Sequence, residues 1–167
     1  MTSPFSRFKQ TFGMRLFGWL KIPLLASVRP TVVELSETRC VIRVPLRRWT
    51  RNHLGSMYFG ALAIGADCAG GLLAMEQINR SKQKVSLVFK AFQATFLKRP
   101  ETDVYFICEE GAAIRAQVQR ALASEDRITE PVRVQAAIRT AEGSFEPVAE
   151  FVLELSLKRR DESLKIG

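Results

Sequence analysis

Histidine is almost missing from this chain: His53 is the only one in 167 residues, beside three cysteines, two tyrosines and two tryptophans. With one imidazole, and with Cys40, Cys68 and Cys108 widely separated, no zinc-like ligand spacing exists and no metal is expected. An odd number of unclustered cysteines argues against a disulfide framework and predicts reduced thiols in a cytoplasm. There is no G-x-x-x-x-G-K-[ST] loop, no RNP-like aromatic strand and no cysteine-histidine finger, so specific nucleic-acid binding has only charge behind it. Near the N-terminus Arg15 and Lys21 interrupt any uniform apolar core and no small-x-small cleavage site follows, which speaks against a signal peptide. The same segment is too short and too charged for a membrane span. Without repeats, low-complexity blocks or a linker, residues 1–167 read as a single domain.

What is present is an ordinary globular composition, 47% hydrophobic and 25% charged, with a net charge of +8. A chain of this length buries about two-thirds of its unfolded surface and folds without staples. The positive balance attracts anions, whether nucleic acid, anionic lipid head groups or phosphorylated small molecules, and charge alone does not choose among them.

The most unusual stretch is Asn52 to Met75, NHLGSMYFGALAIGADCAGGLLAM, where Asp67 is the only formally charged side chain. Gly60, Gly65, Gly70 and Gly71 lie in what otherwise reads as a helix, and each costs about 1 kcal/mol relative to Ala there. Tolerating that cost implies close backbone approach. Ala63, Ile64, Gly70 and Gly71 lie three or four residues from Asp67, so mostly small neighbours share its face and leave it reachable. A buried, hydrogen-bonded structural aspartate is the alternative, since buried charges are costly unless paired. Cys68, with His53 as base, is a rival nucleophile; adjacent helix residues point about 100° apart, however, so Asp67 and Cys68 cannot both face one substrate. A small buried hydrophobe is the favoured reading of Cys68.

The rest of the chain supplies the frame. Phe5, Phe8, Phe12, Leu16 and Trp19 recur three or four apart between basic residues, predicting an amphipathic helix within an N-terminal extension, residues 1–29. It reads as a lid, a helix on a membrane surface or, as favoured here, a helix packed on its own domain. Pro23 ends it. Thr31–Ser36 and Arg39–Leu46 predict a β-hairpin, with Pro45 near an edge or an end. Arg47, Arg48, Trp49, Thr50 and Arg51 read as a solvated basic loop in preference to an anion contact. The glycine-rich helix should stop near Asn79. Lys84–Leu97 carries apolar residues on both alternating faces, Val85, Leu87, Phe89 and Leu97 against Val88, Phe92 and Phe96, which predicts a central strand covered on each side. A strand over Asp103–Cys108, a covering helix over Gly111–Ser124 with Ile114, Val118, Ala121 and Leu122 inward, and a hairpin from Val132 to Leu157 follow. Residues 158–167 read as a polar tail. The order predicts an α+β fold, a curved antiparallel sheet around the glycine-rich helix.

That architecture and motif resemble the hotdog-fold acyl-CoA thioesterases, most closely the phenylacetyl-CoA thioesterase type, over about Thr31 to Leu157. The pattern of that type runs Asn-x-x-Gly-x-x-His-Gly-Gly, six residues, Asp. Asn52, Gly55, Gly60 and Asp67 stand at the matching spacings, while the His-Gly-Gly element reads Tyr58, Phe59, Gly60. The resemblance implies hydrolysis of an acyl thioester of coenzyme A or acyl carrier protein, with Asp67 as general base or nucleophile, Gly60 as oxyanion donor and Asn52 as an orienting group. Gly55 would allow the turn, and Tyr58, Phe59 and His53 would border the substrate. No cofactor is implied beyond the coenzyme A of the substrate, whose phosphates Lys84, Lys98 or Arg99 would meet. A homodimer or dimer of dimers is also implied, Asp67 facing the Asn52 loop of the partner. The alternatives are a hotdog module that binds acyl chains, acyl-CoA or a protein without turnover, and an anion-binding protein acting through its surface charge.

Overall fold

The computed structural model describes residues 4–160. Its helices are α1 (Pro4–Lys21), α2 (Pro23–Ser27), α3 (Phe59–Ser81) and α4 (Gly111–Ala123), and its strands β1 (Thr31–Leu35), β2 (Cys40–Val44), β3 (Val85–Phe96), β4 (Val104–Cys108), β5 (Ile128–Arg139) and β6 (Phe145–Arg159). All pairings are antiparallel, and the strands lie side by side as β1-β2-β4-β5-β6-β3. The 23-residue α3 packs on one face of this sheet. By length and composition α3 could cross a membrane, yet half of that apolar window is buried inside the domain, as befits its core helix.

Side-chain alternation explains most of the sheet. In β6, Phe151, Leu153, Leu155 and Leu157 are all buried, and they meet Phe106, Ile42 and Leu73 in one core. Helix α4 closes that core with Ile114, Val118 and Ala121. The buried Gln117 on the same helix donates its amide to the Leu155 carbonyl at 2.8 Å and the Ile128 carbonyl at 3.2 Å, which satisfies its polar end. Gly111 opens α4 because nothing larger fits: a Cβ would overlap the Glu37 carbonyl oxygen and lie 2.5 Å from Thr38 Cα.

Two expectations are corrected. First, β3 is an edge strand that pairs only with β6 among the described residues. A register shift between Phe89 and Phe92 explains the misleading pattern. Leu87 and Phe89 sit opposite Leu157 and Leu155, while Phe92 and Phe96 sit opposite Leu153 and Ala149, all of them buried partners. The bulge therefore brings Phe92 and Phe96 onto the face of Leu87 and Phe89, where an unbroken strand would have put them on the other, while Val88 before the bulge stays opposite Ser156 and exposed. Second, α1 does not bury its apolar stripe: Phe8, Phe12, Leu16 and Trp19 are exposed, and Met14, Thr11 and Arg15 make the contacts with the domain. The side chain of Phe5 lies outside the described residues. Helix α1 ends at Lys21, just before Pro23 as expected, and Pro23 is also the first helical residue of the short α2. Strand β6 also runs two residues into the expected polar tail, and residues 161–167 of that tail lie outside the described residues.

Candidate active site

The turn before α3 is built by its own polar groups. Asn52 Oδ1 accepts from the N–H of Leu54 at 2.9 Å and of Ser56 at 3.2 Å, and Asn52 N donates to the Ser56 carbonyl at 2.8 Å. Gly55 donates to the Asn52 carbonyl at φ +86, a left-handed conformation suited to glycine. The turn is then tied to its surroundings, Met57 N to the Pro100 carbonyl at 2.9 Å and Tyr58 N to the Thr50 carbonyl at 2.8 Å. Thr50 is buried and donates its hydroxyl to the Pro45 carbonyl, which leaves Trp49 and its arginine neighbours in solvent, as the solvated-loop reading expects.

Helix α3 therefore starts at Phe59, one residue before the Gly60 start expected from the motif, with extended Tyr58 as its N-cap residue. The Tyr58 carbonyl accepts from Ala61 N and Leu62 N. Among the described residues the N–H groups of Phe59 and Gly60 have no acceptor. Two unpaired donors at a helix N-terminus form an anion-attracting point. The Tyr58 ring folds over Gly60, where a Cβ would lie 2.6 Å from its Cε1. It also packs on Phe59, the ring centroids 4.7 Å apart.

A cavity of about 410 Å³ opens beside this helix start. It is lined by Asn52, His53, Tyr58 and Phe59 from the turn and helix start, by Leu62 of α3, and by Phe96, Leu97, Lys98, Arg99 and Pro100 from the end of β3 and the loop after it. Sequence reasoning missed Ser56, Met57, Leu62, Phe96, Leu97 and Pro100 as lining residues; they come from two distant segments, and only the apolar end of β3 hinted at it. Lys98 is held by Glu146 at 2.7 Å.

Asp67, Gly60 and Gly55 are not on this lining. Eight residues beyond Phe59, Asp67 stands about 12 Å further along the helix axis at 1.5 Å per residue. Its carboxylate is half-buried, and among the described residues no hydrogen bond or ion pair engages it. Burial raises its pKa above the ordinary 3.8. The nearest crowding is light: a Cβ on Gly71 would lie 3.7 Å from Asp67 Oδ1 and 3.8 Å from Phe89 Cε2. The neighbouring Cys68 is pushed up to about 12 by burial and by the charge of Asp67, and Cys108 to about 11 by burial, so neither is a ready thiolate. The three cysteines are free and buried. No group of three His, Cys, Asp or Glu side chains converges among the described residues to hold a metal ion.

Residues 13–155 match the family described as a domain of unknown function, DUF4442. The chain belongs to the DUF4442 family. No curated protein matches it in sequence. Among solved structures, this DUF4442 chain is similar to a Chlorobaculum tepidum protein of unknown function, with TM-score 0.77 and 9% identity over 92% of this chain and 97% of that one. It is also similar to a Pseudomonas aeruginosa protein described as a probable thioesterase, with TM-score 0.73 and 22% identity over 90% and 96% of the two chains. A thioesterase family protein from Silicibacter pomeroyi gives TM-score 0.61 and 14% identity over 90% and 99%. At such identities the likeness carries the fold, and the fold of this DUF4442 chain is the hotdog fold.

Proposed function

We propose that this protein is a hotdog thioesterase that hydrolyses an acyl thioester of coenzyme A or acyl carrier protein in the cytoplasm, of the phenylacetyl-CoA thioesterase type with Tyr58-Phe59-Gly60 in place of His-Gly-Gly. The observation that carries this reading is the combination, among the described residues, of a half-buried carboxylate without a partner and a helix N-terminus with two unpaired N–H groups beside an apolar cavity. Asp67 takes a proton from water as the water oxygen forms a bond to the thioester carbonyl carbon, and the carbon–sulfur bond then breaks, the leaving thiolate taking up the proton held by Asp67 to depart as the thiol. The N–H groups at Gly60 and Phe59 hold the oxyanion formed on the way. Because Asp67 lies about two turns along α3 from the Phe59–Gly60 N–H groups of its own chain, the reading requires a homodimer in which Asp67 of one copy meets the α3 start of the other. The edge strand β3 and its exposed Phe92 and Phe96 offer the adjoining surface. Arg99 and Lys98 at the cavity, with Lys84 as a further candidate, meet the phosphates of the carrier.

Purified protein presented with short, aromatic and long acyl-CoA esters is expected to release free thiol from at least one class, and no release above background from any of them, or from acyl carrier protein thioesters, contradicts the proposal. One observation favours a second reading, an acyl-binding hotdog module without turnover: Asn52 Oδ1 is engaged in its own turn and the Tyr58 ring lies over Gly60. Saturable acyl-CoA binding without thiol release distinguishes it.

A further inference from the structure

The net charge of this protein is confined to its first 66 residues. Residues 1–66 hold ten Lys and Arg against two Asp and Glu, while residues 67–167 hold fifteen of each. The first 33 residues contain five basic side chains and no acidic one. In the same segment α1 presents Phe8, Phe12, Leu16 and Trp19 as one helical stripe with exposures of 70, 59, 43 and 70%. Leu20, Ile22 and Leu24 prolong it, all exposed.

The helix is nevertheless moored. Arg15 Nε donates to the Pro30 carbonyl at 2.8 Å and its Nη2 to Thr31 Oγ1 at 2.9 Å, Thr11 Oγ1 accepts from Val32 N at 3.0 Å, and Met14 packs on the core. A different face of α1 is thus fixed to the β1 edge, so the apolar stripe is held outward. Thr31 pairs with Arg43, which places this mooring at the end of the β1–β2 hairpin from which the Arg47–Arg51 turn leaves. That turn adds three arginines around Trp49, 86% exposed.

We infer that α1 rests on an anionic phospholipid bilayer, its Phe8-Phe12-Leu16-Trp19 stripe entering the head-group and acyl boundary while the exposed Lys21, Arg29, Arg47, Arg48 and Arg51 face the lipid phosphates. An aromatic and aliphatic stripe flanked by cations and free of acids is the composition of an interfacial helix, and anionic lipids attract such a segment by its Lys and Arg. A second copy fits poorly, since stacking two such faces sets like charges together. A nucleic acid would stack on the aromatic rings but leave Leu16, Leu20, Ile22 and Leu24 in water. None of the proposed active-site residues takes part in this membrane contact.

The full chain is tested by sedimentation with vesicles of phosphatidylcholine alone and of phosphatidylcholine with about one part in three phosphatidylglycerol. Binding to the mixed vesicles is expected, weaker by about tenfold or more for phosphatidylcholine alone and for the double variant Phe12→Ser, Trp19→Ser. Both substituted side chains are exposed, so the variant should keep the circular dichroism and melting midpoint of the parent. In a Trp49→Phe background, Trp19 emission should shift to the blue on adding mixed vesicles. Absence of sedimentation, equal binding to neutral vesicles, or a double variant that binds as well as the parent overturns the inference. So does an α1-dependent self-association, or oligonucleotide binding, that occurs in place of vesicle binding.

Discussion

Replacing Asp67 by Asn is expected to lower kcat about 10²- to 10⁴-fold, the usual contribution of a positioned general base, while making the protein more stable at neutral pH. Both effects come from one cause. The carboxylate is half-buried and has no partner among the described residues, so burial raises its pKa above the ordinary 3.8. The folded state therefore holds this proton more tightly than the unfolded chain does. Its stabilising effect is complete below the unfolded value and is lost as pH rises through the raised value, so at pH 7 the ionised group costs stability. Asparagine keeps the shape and removes the charge, and the expected gain at neutral pH is about 0.5–2 kcal/mol, the usual size of a single stabilising change. That gain should fade in acid, where the parent aspartate is already protonated. The rate follows the opposite course, because only the carboxylate accepts a proton: hydrolysis by the parent should fall as pH drops through the raised pKa, and the residual rate of the variant should lack that step. Thiol release with a panel of acyl-CoA esters and thermal melts across pH measure the two halves separately. A variant with parental kcat removes Asp67 from the chemistry, and a variant destabilised at pH 7 removes the desolvated-charge explanation.

Gly65→Ala is expected to be the most damaging single methyl in α3, costing about 2 kcal/mol net, within the range for overpacking a core. Helix propensity alone predicts a gain of about 1 kcal/mol, so the sign is decided by space. A Cβ at Gly65 would overlap the Phe106 ring, with Cδ2 at 2.6 Å and two further ring atoms nearer still. Phe106 cannot retreat, because it is fully buried and packs against Phe151 at a centroid distance of 6.4 Å. Gly70→Ala is the matched control: its Cβ would sit 3.6 Å from Val132 and Val134, an ordinary contact, and it should be neutral or stabilising by up to about 1 kcal/mol. Urea unfolding of both variants checks the contrast. Phe106→Leu added to Gly65→Ala should recover part of the loss, since contacting residues couple. Equal stability of the two alanine variants would show that α3 does not need close approach at Gly65.

These glycines also show what the sequence could convey. Their abundance in an apolar helix announced a close approach, and Gly65 against Phe106 is one. Composition could not say that Gly70 and Gly71 have room to spare, because that depends on strands β3 and β5 far away in the chain. The antiparallel sheet, the long core helix and the inward stripe of α4 were all legible, since each rests on a local period of two or 3.6 residues. Strand β3 was not, because one extra residue between Phe89 and Phe92 breaks the period on which the reading depends. Periodicity likewise revealed the stripe of α1 but not what covers it; Arg15 and Thr11 hold that stripe away from the domain through hydrogen bonds that no pattern announces. At the candidate site, Asn52, His53, Tyr58 and Phe59 do share a cavity. The remaining lining from Phe96 to Pro100 arrives through tertiary folding, and the separation of Asp67 from the α3 start follows from helix rise.

A site shared between two copies can be tested by mixing two variants that are each inactive. Asp67→Asn removes the base, and Phe59→Pro removes one of the two N–H donors at the first helical position of α3, after the extended Tyr58, where proline is best tolerated in a helix. Both are first checked for parental circular dichroism and dimeric mass, then unfolded and refolded together. In a twofold dimer half of the assemblies are mixed and each carries one intact site, so acyl-CoA hydrolysis should return to about a quarter of the parental rate. Two folded, dimeric variants that remain inactive after mixing would contradict a site built from Asp67 of one copy and the α3 start of the other.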